Sequence, residues 1–149
     1  MTPETLRYGT IMLAAGVGIP IFAALNAQLG ARIGAPAAAV MVAFAVGSLI
    51  ALAWVLATGE GGALARVGGQ PVHLYLGGVC MAFYALSITW VAPRFGVGNA
   101  IFFVLLGQML AATLIDHFGL FGARIRPIGW ERGLGLVLMA AGLALVQRG

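Results

Sequence analysis

A few polar side chains stand inside long apolar runs of this sequence, and any chemistry the chain performs must start from them. Gln108 is the clearest. It lies about ten residues, or about 15 Å of helix, into a run that begins near Gly98. A carboxamide at that depth needs a partner. One reading is an interhelical hydrogen bond, worth about 0.6 kcal/mol between membrane helices. The other is a substrate-facing donor and acceptor. Asn99, nine residues away, is half a turn out of phase with Gln108 and reads as a cap at the start of the same helix.

Gly77, Cys80, Tyr84 and Ser87 recur at three- and four-residue steps, forming one small and polar helix face. Leu76, Val79, Phe83, Leu86 and Trp90 form a bulky face that suits lipid. The polar face is therefore expected to look inward, lining a cavity or simply packing. Tyr84 is informative because it sits mid-run, whereas Tyr8, Trp54, Tyr75, Trp90 and Trp130 fall near the ends of runs, as an interfacial belt requires.

Gly16, Gly18 and Pro20 form a third constellation. Proline removes a backbone donor and crowds the carbonyl four residues earlier, so a kink is expected, serving packing or acting as a hinge. Asn26 follows about 1.6 turns later, nearer the membrane boundary. Ser48 is alone in its run and can bond its own i−4 carbonyl, so it carries no assignment.

The acids are placed differently. Glu4, Glu60, Asp116 and Glu131 all fall at run ends or in connectors, so no carboxylate is expected mid-membrane to exchange a proton for a cation. Asp116 and His117 are adjacent and so point in different directions on a helix. They read either as interfacial anchors paired with connector arginines, or as a gate or proton-linked pair, an imidazole being able to change charge near neutrality. No Gly-rich phosphate loop, nucleophile elbow or metal-ligand spacing occurs, so neither an enzyme nor a cofactor or metal is expected. Cys80 is a lone cysteine and has no intramolecular disulfide partner.

The elements that must position these groups follow from composition. Of 149 residues, 62% are apolar, 23 are glycine, and only eight arginines and four carboxylates are charged. A soluble domain of this size would carry about a quarter charged residues. A soluble globule, a disordered chain and a disulfide-stapled module are excluded. The chain is expected to be an all-α integral membrane protein, with the lipid bilayer as its solvent. Each span takes about 20 apolar residues. The punctuation predicts five, over residues 8–29, 36–57, 72–92, 98–117 and 128–147, in a single transmembrane domain covering 1–149. Pro36 suits a first helical turn, 58–71 and 118–127 read as loops, and 93–96 as a tight break. The first run is too long for a signal peptide and is interrupted by Pro20. Strand alternation is missing, which disfavours a β-barrel.

Arginines flanking the runs act as topology signals rather than a nucleic-acid footprint, which needs a clustered basic face. Arg7, Arg66, Arg124, Arg126 and Arg132 share one side; Arg32, Arg94 and Arg148 share the other. Five against three places the N-terminus weakly in the cytoplasm and is compatible with dual topology. The second run repeats a small residue at every fourth position (Ala35, Ala39, Ala43, Gly47, Ala51), which reads as a helix-packing seam. The fifth, with Gly129, Gly133 and Gly135 near its start, reads as a packing or dimer-forming helix.

Several stretches carry a family resemblance. Gly16-Val17-Gly18-Ile19-Pro20, Leu25-Asn26-Ala27-Gln28-Leu29-Gly30-Ala31-Arg32 and Phe44-Ala45-Val46-Gly47 resemble the first half of the YdcZ-type five-helix inner-membrane proteins. Ala92-Pro93-Arg94-Phe95-Gly96, Gly107-Gln108 and Leu114-Ile115-Asp116-His117-Phe118-Gly119 resemble the second half. These proteins belong to the bacterial drug/metabolite transporter superfamily. The resemblance implies an exporter of the bacterial inner membrane. It also implies that five helices form half of a ten-helix bundle, completed by a second five-helix subunit, itself or a paralogue, in antiparallel orientation. It marks Asn26, Gln108 and Asp116 as the matching polar positions. Where some members carry Gln, this chain has Phe22, which implies a more apolar or aromatic-stacked ligand, or a partner chain that supplies the polar group.

The leading expectation is a dimeric alternating-access transporter of an unknown small molecule, its site near the bilayer midplane between the copies. The first, third and fourth helices would line it. Tyr84, Gln108, Asn26, Ser87 and Phe22 would contact substrate, with Gly16, Gly18 and Pro20 as the hinge. The rival is a membrane-embedded subunit or scaffold with no transport cycle. A channel is disfavoured by the absence of charge rings.

Overall fold

Glycines in the left-handed region mark many of the places where one element of this chain hands over to the next. In the computed structural model, which describes residues 3–148, Gly34, Gly59, Gly96 and Gly119 have φ of 67°, 75°, 88° and 62° and lie just beyond helix ends. Positive φ costs a side-chain-bearing residue about 1–2 kcal/mol, so glycine is the economical residue there. Between these punctuation points run α1 (Pro3–Ile33), α2 (Pro36–Ala57), α3 (Leu76–Phe95), α4 (Val97–Phe118) and α5 (Trp130–Val146). No strand occurs among the described residues.

Four stretches are long and apolar enough to cross a bilayer: Pro3–Ile33, Pro36–Ala57, Val72–Phe95 and Val97–Phe118. The fifth helix has 17 residues rather than the expected twenty, because 123–129 stay non-helical and α5 starts only at Trp130. α1 has 31 residues and is about 45 Å long, well over a hydrocarbon thickness of about 30 Å.

Three local expectations are corrected. The break expected over 93–96 falls on Gly96 alone: Pro93 stays in the last turn of α3, and the left-handed backbone at the glycine separates α3 from α4. Asn99 is not the cap of α4. Gly96 is, without a side-chain cap bond, since only a residue at ease with φ of 88° fits the turn, and Asn99 is the third residue inside the helix. The loop expected over 58–71 is instead wound, over Glu60–Gly69, into a 3-10 helix, with a second 3-10 turn at Val72–Tyr75. The Tyr75 hydroxyl donates back to the Val67 carbonyl and ties the two together. Pro20 leaves α1 helical throughout.

The chain divides into two compact units, one ending at Phe95 and one beginning at Gly96. In the first, α1, α2 and α3 pack against one another. Small residues supply most of their contact surface, Ala23, Ala27 and Gly30 on α1, Ala39 on α2, Ala85 and Ala92 on α3, all buried together with Val40 and Ile88. Close backbone approach replaces the hydrophobic drive that lipid does not provide. The tightest point is Gly30, where a Cβ would lie 3.0 Å from the Pro36 Cα. By contrast, residues 3–18 of α1 are exposed on every side, and large apolar residues such as Met12 and Leu13 are uncovered. Hydrocarbon solvates such a surface; water does not. In the second unit α4 packs on α5, with Thr113 and Leu143 buried.

Candidate functional site

The polar interior of the first unit is built where α1 meets α3. Asn26 is 5% exposed and its Nδ2 donates to Thr89 Oγ1 at 3.3 Å; Thr89 is 1% exposed. Small neighbours on both helices allow the pair to meet: Ala23, Ala27 and Gly30 flank Asn26, and Ala85 and Ala92 flank Thr89. One turn towards the N-terminus of each helix, the rings of Phe22 and Tyr84 stack with centroids 6.4 Å apart and planes 26° from parallel. The Tyr84 hydroxyl is buried and has no hydrogen-bond partner among the described residues.

Phe22 also borders an open groove of about 500 Å³ between the three helices. Phe44, Gly47 and Ser48 of α2 and Gly78 and Met81 of α3 line it too. A Cβ on Gly47 or Gly78 would meet nothing within 4 Å, so the missing side chains keep the groove open. The α2 seam is thus divided. Ala39 is buried in helix contacts, whereas the half-buried Ala43 and the exposed Gly47 and Ala51 line the groove.

The inward face of α3 differs from the one expected. Ala85, Ile88, Thr89 and Ala92 are buried, Tyr84 and Ser87 sit half-buried at the margin, and Gly77 and Cys80 are exposed. The packed face is rotated because the contact is set by side chains small enough for α1 to approach, not by polarity. Ser87 opens onto another surface depression, with Phe83 and Trp90, and not onto the groove bordered by Phe22. The bulky Phe83, Leu86 and Trp90 are exposed, as their expected lipid-facing position requires. Arg94 lies 4.4 Å over the Trp90 ring and donates to its carbonyl. Thr89 was not anticipated. Its signal was its place in the stripe Ala85, Thr89, Ala92, which runs beside the polar stripe that drew attention.

In the second unit Gln108 is exposed on α4. Thr113, also unanticipated, is 2% exposed, and its Oγ1 has no hydrogen-bond partner among the described residues. At the end of α4, Asp116 Oδ2 accepts from Arg132 Nη2 at 2.9 Å, both side chains being about one-third exposed. Its backbone carbonyl accepts from the Arg126 amide at 2.8 Å. His117 Nδ1 accepts from the Ile128 amide at 3.1 Å. Asp116 is thus paired with an arginine of the first turn of α5. Among the described residues no three His, Cys, Asp or Glu side chains gather as a metal site would need.

A multi-pass helical chain with a buried Asn–Thr pair, an aromatic pair and an open groove narrows the comparison to membrane families. The family model described as "Putative inner membrane exporter, YdcZ" matches residues 8–145. The chain belongs to the YdcZ family. No curated protein and no solved structure matches it. Membership makes this a multi-pass inner-membrane protein of an exporter family, which is not an enzyme class.

Proposed function

We propose that the chain exports a small molecule bearing an apolar or aromatic portion, by alternating access, as a homo- or heterodimer of antiparallel copies. The observation that carries this reading is the Phe22–Tyr84 ring pair beside the groove of about 500 Å³. The two aromatic faces offer stacking at centroid distances of about 4.5–7 Å. Tyr84 backs the Phe22 ring, its hydroxyl buried without a partner among the described residues. Asn26 serves near one gate, and Gln108 orients a polar group of the substrate. Ser87 contributes at the margin of α3. Gly16 and Gly18, with open space around both, and Pro20, without a donor, let α1 bend between states.

Support for a second subunit comes from what one copy leaves uncovered. Gln108 is exposed within a span, where hydrocarbon would leave its carboxamide unsatisfied, and the described residues of the first half of α1 are exposed. The arginine distribution, five against three, supports a cytoplasmic N-terminus only weakly and is compatible with both orientations.

The test is export of fluorescent aromatic dyes from proteoliposomes, with the dimer followed by cross-linking. Gln108→Ala is expected to reduce dye flux about tenfold, as loss of a hydrogen bond of about 1.4 kcal/mol would, while leaving the dimer intact. Wild-type flux in that variant removes Gln108 from the site. A dimer that moves none of the dyes favours the scaffold reading.

A further inference from the structure

The connector between α4 and α5 is held down by few bonds, and one of them ends on an imidazole. After Gly119 the chain makes a 3-10 turn over Leu120–Gly122 and then runs non-helically to Gly129. Ile125 folds back over Gly119 so closely that a Cβ there would meet its Cγ1 at 2.7 Å. Among the described residues two hydrogen bonds fasten this connector to α4: Arg126 N–H to the Asp116 carbonyl, and Ile128 N–H to His117 Nδ1. The folded-back form is also strained, since Phe121 has φ of 57°, unusual for a residue with a side chain.

We infer that His117 is a proton-binding latch: its neutral ring holds the connector against α4, and uptake of a proton releases it. The chemistry is determined by which atom accepts. Nδ1 takes the Ile128 hydrogen through a lone pair, so the ring is neutral, with its own proton on Nε2. A second proton occupies that lone pair. Nδ1–H and the Ile128 N–H are then two donors facing each other, and the bond is lost. Imidazole is the side chain suited to make this change between about pH 5 and 8.

The charged groups on the surrounding elements are Asp116, next to His117 on α4 and engaged by Arg132 of α5, Arg124 and Arg126 on the connector, and Glu131 on the first turn of α5. Phe118 packs edge-on against the ring at 4.7 Å and limits its reorientation. Release frees the connector just before Trp130, so the entry of α5 is loosened while the Asp116–Arg132 pair remains. The latch requires no assumption about substrate or transport.

Hydrogen exchange of the amides of Arg124, Ile125, Arg126 and Ile128 tests it, on the full chain in lipid nanodiscs at pH 8 and pH 5, with intrinsic exchange rates divided out. Wild-type protection is expected to fall about fivefold on acidification, the factor corresponding to a hydrogen bond of about 1 kcal/mol. His117→Asn keeps an acceptor oxygen but cannot take up the proton; His117→Leu has no acceptor. Neither variant should show the fall. Unchanged wild-type protection, or a fall of the same size in either variant, overturns the proposal.

Discussion

Asn26 and Thr89 show how a single polar pair can organise membrane helices. Each alone would be a costly group in hydrocarbon; together, 63 residues apart in sequence, they satisfy one another at the centre of the α1–α3 contact. Thr89→Val keeps the shape and removes the acceptor, stranding the Asn26 amide. The expected loss is about 1–2 kcal/mol. A double-mutant cycle with Asn26→Leu should give a coupling energy of about 0.6 kcal/mol, and no more than about 1.7. Reversible unfolding in bicelles measures it, and a coupling of zero would mean the two side chains do not support each other. Asn26 could be singled out from sequence because it is polar, close to a helix end and follows a proline. Thr89 could not. A threonine among apolar residues can bond its own helix, and nothing local tells that it faces a partner on another one.

At the scale of elements, glycine spacing carries more of the architecture than hydrophobicity does. Gly30 and Gly18 lie on the same helix in opposite circumstances. At Gly30 a methyl group would press on the Pro36 Cα, a backbone atom that cannot step aside; around Gly18 there is open space. Gly30→Ala is therefore expected to destabilise the α1–α2 hairpin by about 1–3 kcal/mol. Gly18→Ala should leave stability unchanged or raise it by up to about 1 kcal/mol, through helix propensity. If α1 bends during transport, Gly18→Ala should also slow dye export without loss of fold, a combination that packing alone would not produce. Helix positions were largely readable in advance, since each run of about 20 apolar residues between Gly, Pro and Arg has to be a helix in lipid. The 3-10 winding of Glu60–Gly69 was not, because a segment with four glycines has no periodicity to declare it.

For the molecule as a whole, experiments at the groove beside Phe22 and at the exposed Cys80 distinguish a transporter from a packed scaffold. Gly47→Leu places a side chain where no atom lies within 4 Å of the new Cβ, so one copy should fold normally. Filling the groove should nevertheless block dye export. Retained export at full rate would exclude the groove as the substrate's path. Cys80 is exposed on the first unit and on no packed face, so water-soluble maleimide should label it if an aqueous cavity reaches that surface, and should not if acyl chains cover it.

Composition and the order of apolar runs were enough by themselves to determine that the chain is helical and lives in a bilayer, because hydrocarbon penalises every unpaired backbone group and every charge one residue at a time; the resemblance to an exporter family rested instead on short motifs such as residues 16–20, 25–32 and 114–119. Which side of each helix turns inward was decided only by the tertiary contacts. In water, a polar face and an apolar face reveal the answer; in lipid both the buried and the solvent-facing sides are apolar, so hydrophobicity loses its sign. The choice passes to fit between small surfaces distant in sequence, and that fit brought Thr89 under Asn26 while leaving Cys80 and Gly77 outside.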